Sequence, residues 1–230
     1  MASKKNNVKK ETKKIEIDYV EKNRKKYFYR FVKRSFDIFC SLLGMLLVLP
    51  VALVTKICYL CTKDTKSIFY KQKRIGKYGK TIYIYKFRSM VHNADEVLKE
   101  LLKNPKYKKE WDKNQKINDD PRITKIGKFL RKSSLDELPQ FINVFKGDMS
   151  LIGPRPLVDD ELDKHKGDHS LYESVKPGIS GWWAANGRSA TNYEQRLELE
   201  YYYCKNCGIW LDIKCIFRTI KAVIFRSGAK

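Results

Sequence analysis

The sequence predicts a mostly α-helical chain with a small β-hairpin, an α+β fold. It is expected to rest on a membrane through one bent apolar helix and interfacial amphipathic helices. Three observations carry that expectation. Ile38–Thr55 is an 18-residue run without a charge. The C-terminal residues repeat at helical spacing with basic residues between them. Only two short segments between these anchors are rich in β-formers.

Residues 1–34 hold 13 Lys or Arg against four acidic residues, within a chain of 230 residues and net charge +22. Residues 1–32 read as a solvated basic arm, and the charge points to a polyanionic partner: nucleic acid, an anionic bilayer or phosphorylated substrates. Residues 33–62 follow as the membrane segment. Eighteen helical residues span roughly 27 Å, just short of a hydrocarbon core of about 30 Å. A single span would have to place basic flanks on both sides, Lys33 and Arg34 before it and Lys56, Lys63 and Lys66 after it. Cytoplasmic preference for basic flanks disfavours that. Pro50 removes a backbone donor past the middle of the run. A helix that enters, bends at Pro50 and returns to the same face satisfies both facts, and it keeps Asp37 near the interface. A true span and a buried soluble helix are the alternatives.

Residues 63–230 read as one domain. Ile68–Lys71 and Thr81–Phe87, separated by Gly76 and Gly79, predict the hairpin. Ala94, Leu98, Leu101 and Leu102 give a helical stripe ending before Pro105, and 103–119 is a lysine-rich surface helix or loop. Residues 123–145 are helical in parts, interrupted at Pro139. Residues 177–189 are expected as loop and 190–207 as helix. Trp210, Ile213, Ile216, Phe217, Ile220, Val223 and Ile224 form the apolar face of a last helix suited to the headgroup plane, or to packing on a core. Six cysteines include two C-x-x-C pairs, Cys58–Cys61 and Cys204–Cys207, more than 140 residues apart. That separation disfavours a compact zinc ribbon and favours ordinary thiols in a reducing compartment. No secretory signal pattern opens the chain.

The chemistry concentrates at Asp136 and Glu137, adjacent acids between Arg131 and the Pro154-Arg155-Pro156 loop. Adjacent carboxylates repel unless cations relieve them. One can attack phosphorus while its neighbour holds a metal, which is a division of labour suited to phosphoryl transfer. Arg88, Arg131 and Arg155, with Lys86, are candidate clamps for phosphate oxygens, because guanidinium offers a matching fork. Pro154 and Pro156 preset the geometry around Arg155. Asp120 and Asp148 are read as capping or ordering loops.

Several blocks in order carry a resemblance over residues 33–230. They are Lys33-Arg34-Ser35-Phe36-Asp37; Gln72, Arg74, Gly76 and Gly79; Lys86-Phe87-Arg88-Ser89-Met90; and Asp120-Pro121-Arg122-Ile123-Thr124 with Gly127, Leu130 and Arg131. Then come Ser134-Leu135-Asp136-Glu137-Leu138-Pro139-Gln140, Gly147 through Pro156, Pro177-Gly178-Ile179 and Asn186-Gly187-Arg188-Ser189. With these the chain resembles the bacterial sugar transferases that are monotopic polyprenyl-phosphate phosphoglycosyl transferases, in a small catalytic-domain form without the multi-span domain of larger relatives. The resemblance implies transfer of a sugar 1-phosphate from a UDP-sugar to polyprenyl (undecaprenyl) phosphate with release of UMP. It implies Asp136 as nucleophile through a phosphoryl-aspartate intermediate, and Glu137 with Asp136 as the Mg²⁺ ligands. It also implies a place on the cytoplasmic face of the bacterial inner membrane, among anionic lipids. Two other classes fit part of the sequence: a metal-dependent lipid phosphatase using the same acids, and a basic adaptor for membrane or nucleic acid. No local residue names the sugar, although Trp182, Trp183 and Asn186 lie where a sugar or base could be contacted.

Overall fold

The computed structural model of the chain describes residues 17–114, 117–158, 161, 169–187 and 191–224. The sequence-predicted Arg188, Ser189 and Arg226 lie outside them, as do the side chains of Val223 and Ile224. In chain order the elements are α1 (Tyr27–Cys61), β1 (Phe69–Ile75), β2 (Thr81–Phe87), α2 (Ala94–Leu101), α3 (Pro105–Asn114), α4 (Lys125–Lys132), α5 (Gln140–Lys146), β3 (Ser150–Ile152), α6 (His169–Glu173), β4 (Gly178–Ser180), α7 (Trp182–Asn186), α8 (Tyr193–Asn206) and α9 (Ile209–Ile224). Two units emerge. The first draws on Met1–Met45, Lys71–Ile84 and Gln140–Lys230, the second on Leu46–Tyr70 and Tyr85–Pro139.

The predicted helical majority and the β1–β2 hairpin are both present. A 3₁₀ turn at Lys77–Gly79 joins the strands, with Tyr78 and Gly79 at positive φ. Pro105, expected only to end a helix, instead opens α3, where its missing N–H would have had no helical partner. Residues 177–187 are more ordered than the expected loop. β4 pairs in parallel with β3, Ser150 opposite Gly178 and Ile152 opposite Ser180, and α7 follows. The pairing needs glycine: a Cβ on Gly178 would lie 2.1 Å from the Gly153 nitrogen. The sequence concealed these strands because each is three residues long and shows no alternation.

α1 is one 35-residue helix with Pro50 inside it, beginning at Tyr27 rather than at residue 33. Among the described residues it is the one helix long and apolar enough to cross a membrane. Its burial is inverted relative to a soluble helix. Asp37, Ser41, Gly44, Val48, Thr55 and Tyr59 lie on buried positions at helical spacing, mostly polar or small. Phe39, Leu42, Leu43, Leu46, Leu47, Leu49, Leu53, Val54 and Ile57 are exposed. Water would not tolerate such a face on a folded monomer, and hydrocarbon would.

In the first unit the start of α1 is held by polar contacts. Asp37 is 3% exposed, and its Oδ1 accepts from Ser150 Oγ at 3.0 Å and from the Leu151 amide at 2.9 Å. Arg34 caps α5, donating to the carbonyls of Val144 (2.6 Å) and Phe145 (2.7 Å). Asp212 of α9 accepts from Lys33 Nζ (2.6 Å), Tyr29 Oη (2.9 Å) and Tyr203 Oη (2.6 Å). The expected basic arm is not wholly solvated. Residues 17–25 are helical, Asn23 is buried and donates to the Cys204 carbonyl at 2.8 Å, and Lys26 donates to the Cys207 carbonyl at 2.6 Å. Ile152, Tyr203, Cys207, Leu211 and Cys215 form the core below. α9 therefore packs through Leu211, Asp212 and Cys215. Trp210 (78% exposed) and Phe217 (69%) face away, as does Ile220. The six cysteines are free thiols.

The second unit centres on Val48, Tyr59, Ile68, Phe87 and Leu130, with Ile126, Leu135 and Leu138 packed against them. Thr124 caps α4 by accepting from the Gly127 amide at 2.9 Å. A Cβ on Gly127 would lie 1.9 Å from the Ser89 carbonyl oxygen, so only glycine lets α4 approach the backbone beyond β2. Gly127→Ala should therefore lower stability by about 1–3 kcal/mol, the usual range for overpacking, as measured by thermal or denaturant unfolding.

Candidate active site

The acids sit on a single 3₁₀ turn, Leu135–Glu137, between α4 and α5. Leu135 and Leu138 pack on the Tyr59–Phe87–Leu130 core. Burying the two flanking leucines turns Asp136 and Glu137 away from that core. Ser134 enters the turn at φ +56°, a left-handed conformation that non-glycine residues adopt at a cost.

Cations of the same unit surround the turn. Lys86, penultimate in β2, donates to Glu137 Oε1 at 2.8 Å. Its neighbour Phe87 points into the core, so strand alternation is what turns Lys86 toward the acids. Arg131, in the last turn of α4, is pinned by one bond from its Nε to Ser89 Oγ at 2.8 Å. Its residue is exposed, and its Nη groups carry no bond among the described residues. Burial pushes the Asp136 carboxyl above the ordinary carboxylate range, and the adjacent Glu137 charge pushes it further; Lys86 and Arg131 pull it back.

Arg88 is placed differently from Arg131. It is buried, donating from Nη1 to Asp64 Oδ2 at 2.8 Å and from Nε to the Ser67 carbonyl at 2.7 Å, and its guanidinium lies 4.2 Å from the Tyr59 ring centre. The Arg88 hydrogen bond holds the Asp64 carboxyl below its usual range. These contacts make Arg88 a strut under the hairpin. Asp120 orders its loop as expected, since the Arg122 guanidinium grips both its oxygens (2.7–3.1 Å) while stacked over Trp111. Asp148 lies 3.5 Å from Lys146 just past α5.

Pro154, Arg155 and Pro156 belong to the first unit and follow β3. The Arg155 amide donates to Glu200 Oε2 at 3.1 Å, its carbonyl accepts from Tyr172 Oη at 2.6 Å, and the Pro154 carbonyl accepts from the Gly178 amide at 2.8 Å. Trp182 is already covered: its ring stacks on Tyr202 at 5.4 Å, and Arg218, which also donates to Asn186 Oδ1, lies 4.8 Å from the ring centre. Trp183 donates its indole N–H to Thr191 and carries Arg196 at 4.9 Å. Sequence reading assigned no role to Ser89 or Glu200. Ser89 sat in plain view beside Arg88, but Glu200 looks like one more surface charge in a helix of mixed charge.

Hard carboxylate oxygens at Asp136 and Glu137 suit Mg²⁺, which takes one or two protein ligands and fills its other positions with water and phosphate oxygens. No group of three or more His, Cys, Asp or Glu gathers among the described residues. Because the Lys86 ammonium favours ionised Asp136, Lys86→Met should move the Asp136 carboxyl titration to still higher pH, measured by carboxyl ¹³C NMR in metal-free buffer.

The bacterial sugar transferase family matches residues 28–226. The chain is 47% identical over 211 residues, 91% of its length, to undecaprenyl-phosphate galactose phosphotransferase of Salmonella typhimurium, and spans 44% of that protein. It is 40% identical to the exopolysaccharide production protein ExoY of Sinorhizobium fredii, covering 86% of this chain and 87% of that one. It is 34% identical to a UDP-N-acetylgalactosamine-undecaprenyl-phosphate N-acetylgalactosaminephosphotransferase of Aeromonas hydrophila, covering 95% of this chain and 51% of that one. The chain thus spans about half the length of several relatives. It belongs to the bacterial sugar transferase family.

Proposed function

We propose that the chain transfers a sugar 1-phosphate from a UDP-sugar to a polyprenyl phosphate, undecaprenyl phosphate in bacteria, and so begins assembly of an exopolysaccharide, capsule or lipopolysaccharide glycan. The observation that carries this reading is the acid turn. Two adjacent carboxylates are turned out from an apolar core, with Lys86 on one and the unbonded end of Arg131 nearby. The names of the Salmonella and Aeromonas relatives support the substrate classes.

In this reading an Asp136 carboxylate oxygen attacks the sugar-linked phosphorus. The bond from that phosphorus to the bridging oxygen breaks, and UMP leaves with the bridging oxygen and its electron pair. A phosphate oxygen of the lipid then attacks the phosphorus of the phosphoryl-aspartate, and the Asp136 carboxylate is regenerated, giving ping-pong kinetics. Raising the carboxyl above its ordinary range by burial strengthens the carboxylate as a nucleophile, while Lys86 and Arg131 draw it back toward the ionised form. Arg131 and Arg155 hold phosphate oxygens. Mg²⁺ held by Glu137 with Asp136 would offset the charge that develops on the departing nucleotide. Arg88 contributes by fixing the hairpin that carries Lys86.

The inverted burial of α1 supports a place in the bilayer, and the basic flanks support the reading in which the segment enters and leaves on the cytoplasmic face, for which Pro50 would supply the bend. Exposed Trp210 and Phe217, with Lys214 between them, suit the headgroup layer of anionic lipids.

UMP release should be measured with undecaprenyl phosphate, Mg²⁺ and a panel of UDP-sugars that includes galactose and N-acetylgalactosamine. One sugar should give UMP, and Asp136→Asn should reduce the rate at least about a thousandfold, as loss of a covalent nucleophile does. Phosphate release from the lipid without UMP would instead favour the phosphatase. In a second experiment, Pro50→Ala should carry an N-terminal tag or the C-terminus to the opposite face, read by protease or thiol-label access in sealed vesicles. Unchanged access at both ends would remove Pro50 as the cause of the bend.

A further inference from the structure

The Pro154-Arg155-Pro156 tripeptide has one backbone N–H, that of Arg155, because proline has none. Two fixed proline φ angles, with Arg155 confined to extended backbone ahead of Pro156, leave the segment little internal freedom. What remains is how the whole tripeptide is aimed. Three bonds decide that, each from a different element: β4 through the Gly178 amide, α6 through Tyr172 Oη and α8 through Glu200 Oε2.

The Glu200 contact is unusual in kind. A neutral side chain could accept from an amide, yet the residue here is a carboxyl only 2% exposed. Burying a carboxylate costs several kcal/mol unless cations compensate it. Two cations do. Arg155 and Arg196 both face Glu200, and Arg196 also donates to Glu161 at 3.2 Å. The Nε atoms of Arg155 and Arg196 are nonetheless buried without a hydrogen-bond partner. One carboxylate thus holds the amide of Arg155 and balances its guanidinium without saturating it.

We propose that Glu200 is the positioning residue for Arg155, aiming its guanidinium at the phosphates of the nucleotide donor. This rests on the phosphotransferase reading, in which Arg155 is a phosphate ligand. Glu200 touches no reacting atom; it acts through the Arg155 backbone and charge.

The test uses the full chain in detergent or nanodiscs with Glu200→Leu, Glu200→Gln and Tyr172→Phe. Amide hydrogen exchange of the peptide carrying Arg155 is read without substrate, and donor KM and kcat are read by UMP release. Glu200→Leu removes the acceptor while filling the space. It should speed Arg155 exchange and raise donor KM about tenfold at near-constant kcat, the size of one unsatisfied buried donor. Glu200→Gln, which keeps an acceptor oxygen, should restore protection and most of KM. Tyr172→Phe should shift KM the same way with a smaller effect, and it carries the test should Glu200→Leu not fold. A folded Glu200→Leu with wild-type exchange and KM would overturn the proposal, as would a fall in kcat with KM unchanged. Wild-type protein that releases no UMP from any UDP-sugar would sink the transferase reading itself, while the exchange result still judges the Glu200 contact.

Discussion

α1 must keep a greasy face out and a polar stripe in, and the rest of the chain is built to meet that constraint. A helix with Phe39, Leu42, Leu46, Leu49 and Leu53 exposed can stay ordered only if its other face is gripped strongly. Hydrophobic packing supplies that grip in the C-terminal half through Val48 and Tyr59, but the N-terminal half of the buried stripe offers Asp37, Ser41 and Gly44. Charge-assisted hydrogen bonds supply it instead. Asp37 reaches β3, Lys33 reaches Asp212, and Arg34 reaches the last carbonyls of α5. Each of these is a buried or half-buried polar group, so losing one partner leaves the other unsatisfied, a penalty larger than the bond itself contributes.

The acid turn follows a similar logic on a smaller scale. Leucines on either side of Asp136 and Glu137 pack on the core, and the two half-buried acids share the turn between them. A one-turn 3₁₀ segment entered through a left-handed serine has no freedom to slide, so the two carboxylates stay adjacent despite their repulsion. Lys86 offsets that repulsion at Glu137, which leaves Asp136 as the acid whose affinity for a proton is raised. Two carboxyl groups of the same chemistry thereby sit in different electrostatic surroundings.

The arginines show how misleading a count of cations can be. Arg88, Arg122, Arg131 and Arg155 look alike in the sequence. Arg122 closes on Asp120, Arg88 closes on Asp64 and the Tyr59 ring, Arg131 is pinned at Nε with its far end open, and Arg155 is held by its backbone. Which arginine is free for a ligand depends on where carboxylates from distant segments arrive, and no local pattern records that.

Much of this protein was legible in its residues. The uncharged run from Ile38 to Thr55, the Gly-separated β-formers that became β1 and β2, the break at Pro139, the loop-ordering duty of Asp120 and the Leu-Asp-Glu-Leu pattern all act locally, through hydropathy period, turn chemistry and i, i+3 burial. Tertiary structure alone decided the rest. It packed Asn23 and Lys26 of the expected solvated arm against α8, because their partners are carbonyls some 180 residues later. It paired β3 with β4, because two glycines allow backbones to touch. It turned α9 so that Asp212 faces inward and Trp210 outward, reversing what side-chain polarity implies, because a buried acid is stable where Lys33, Tyr29 and Tyr203 converge. Local chemistry sets which elements form, and long-range pairing of polar groups sets which of their side chains remain available for function.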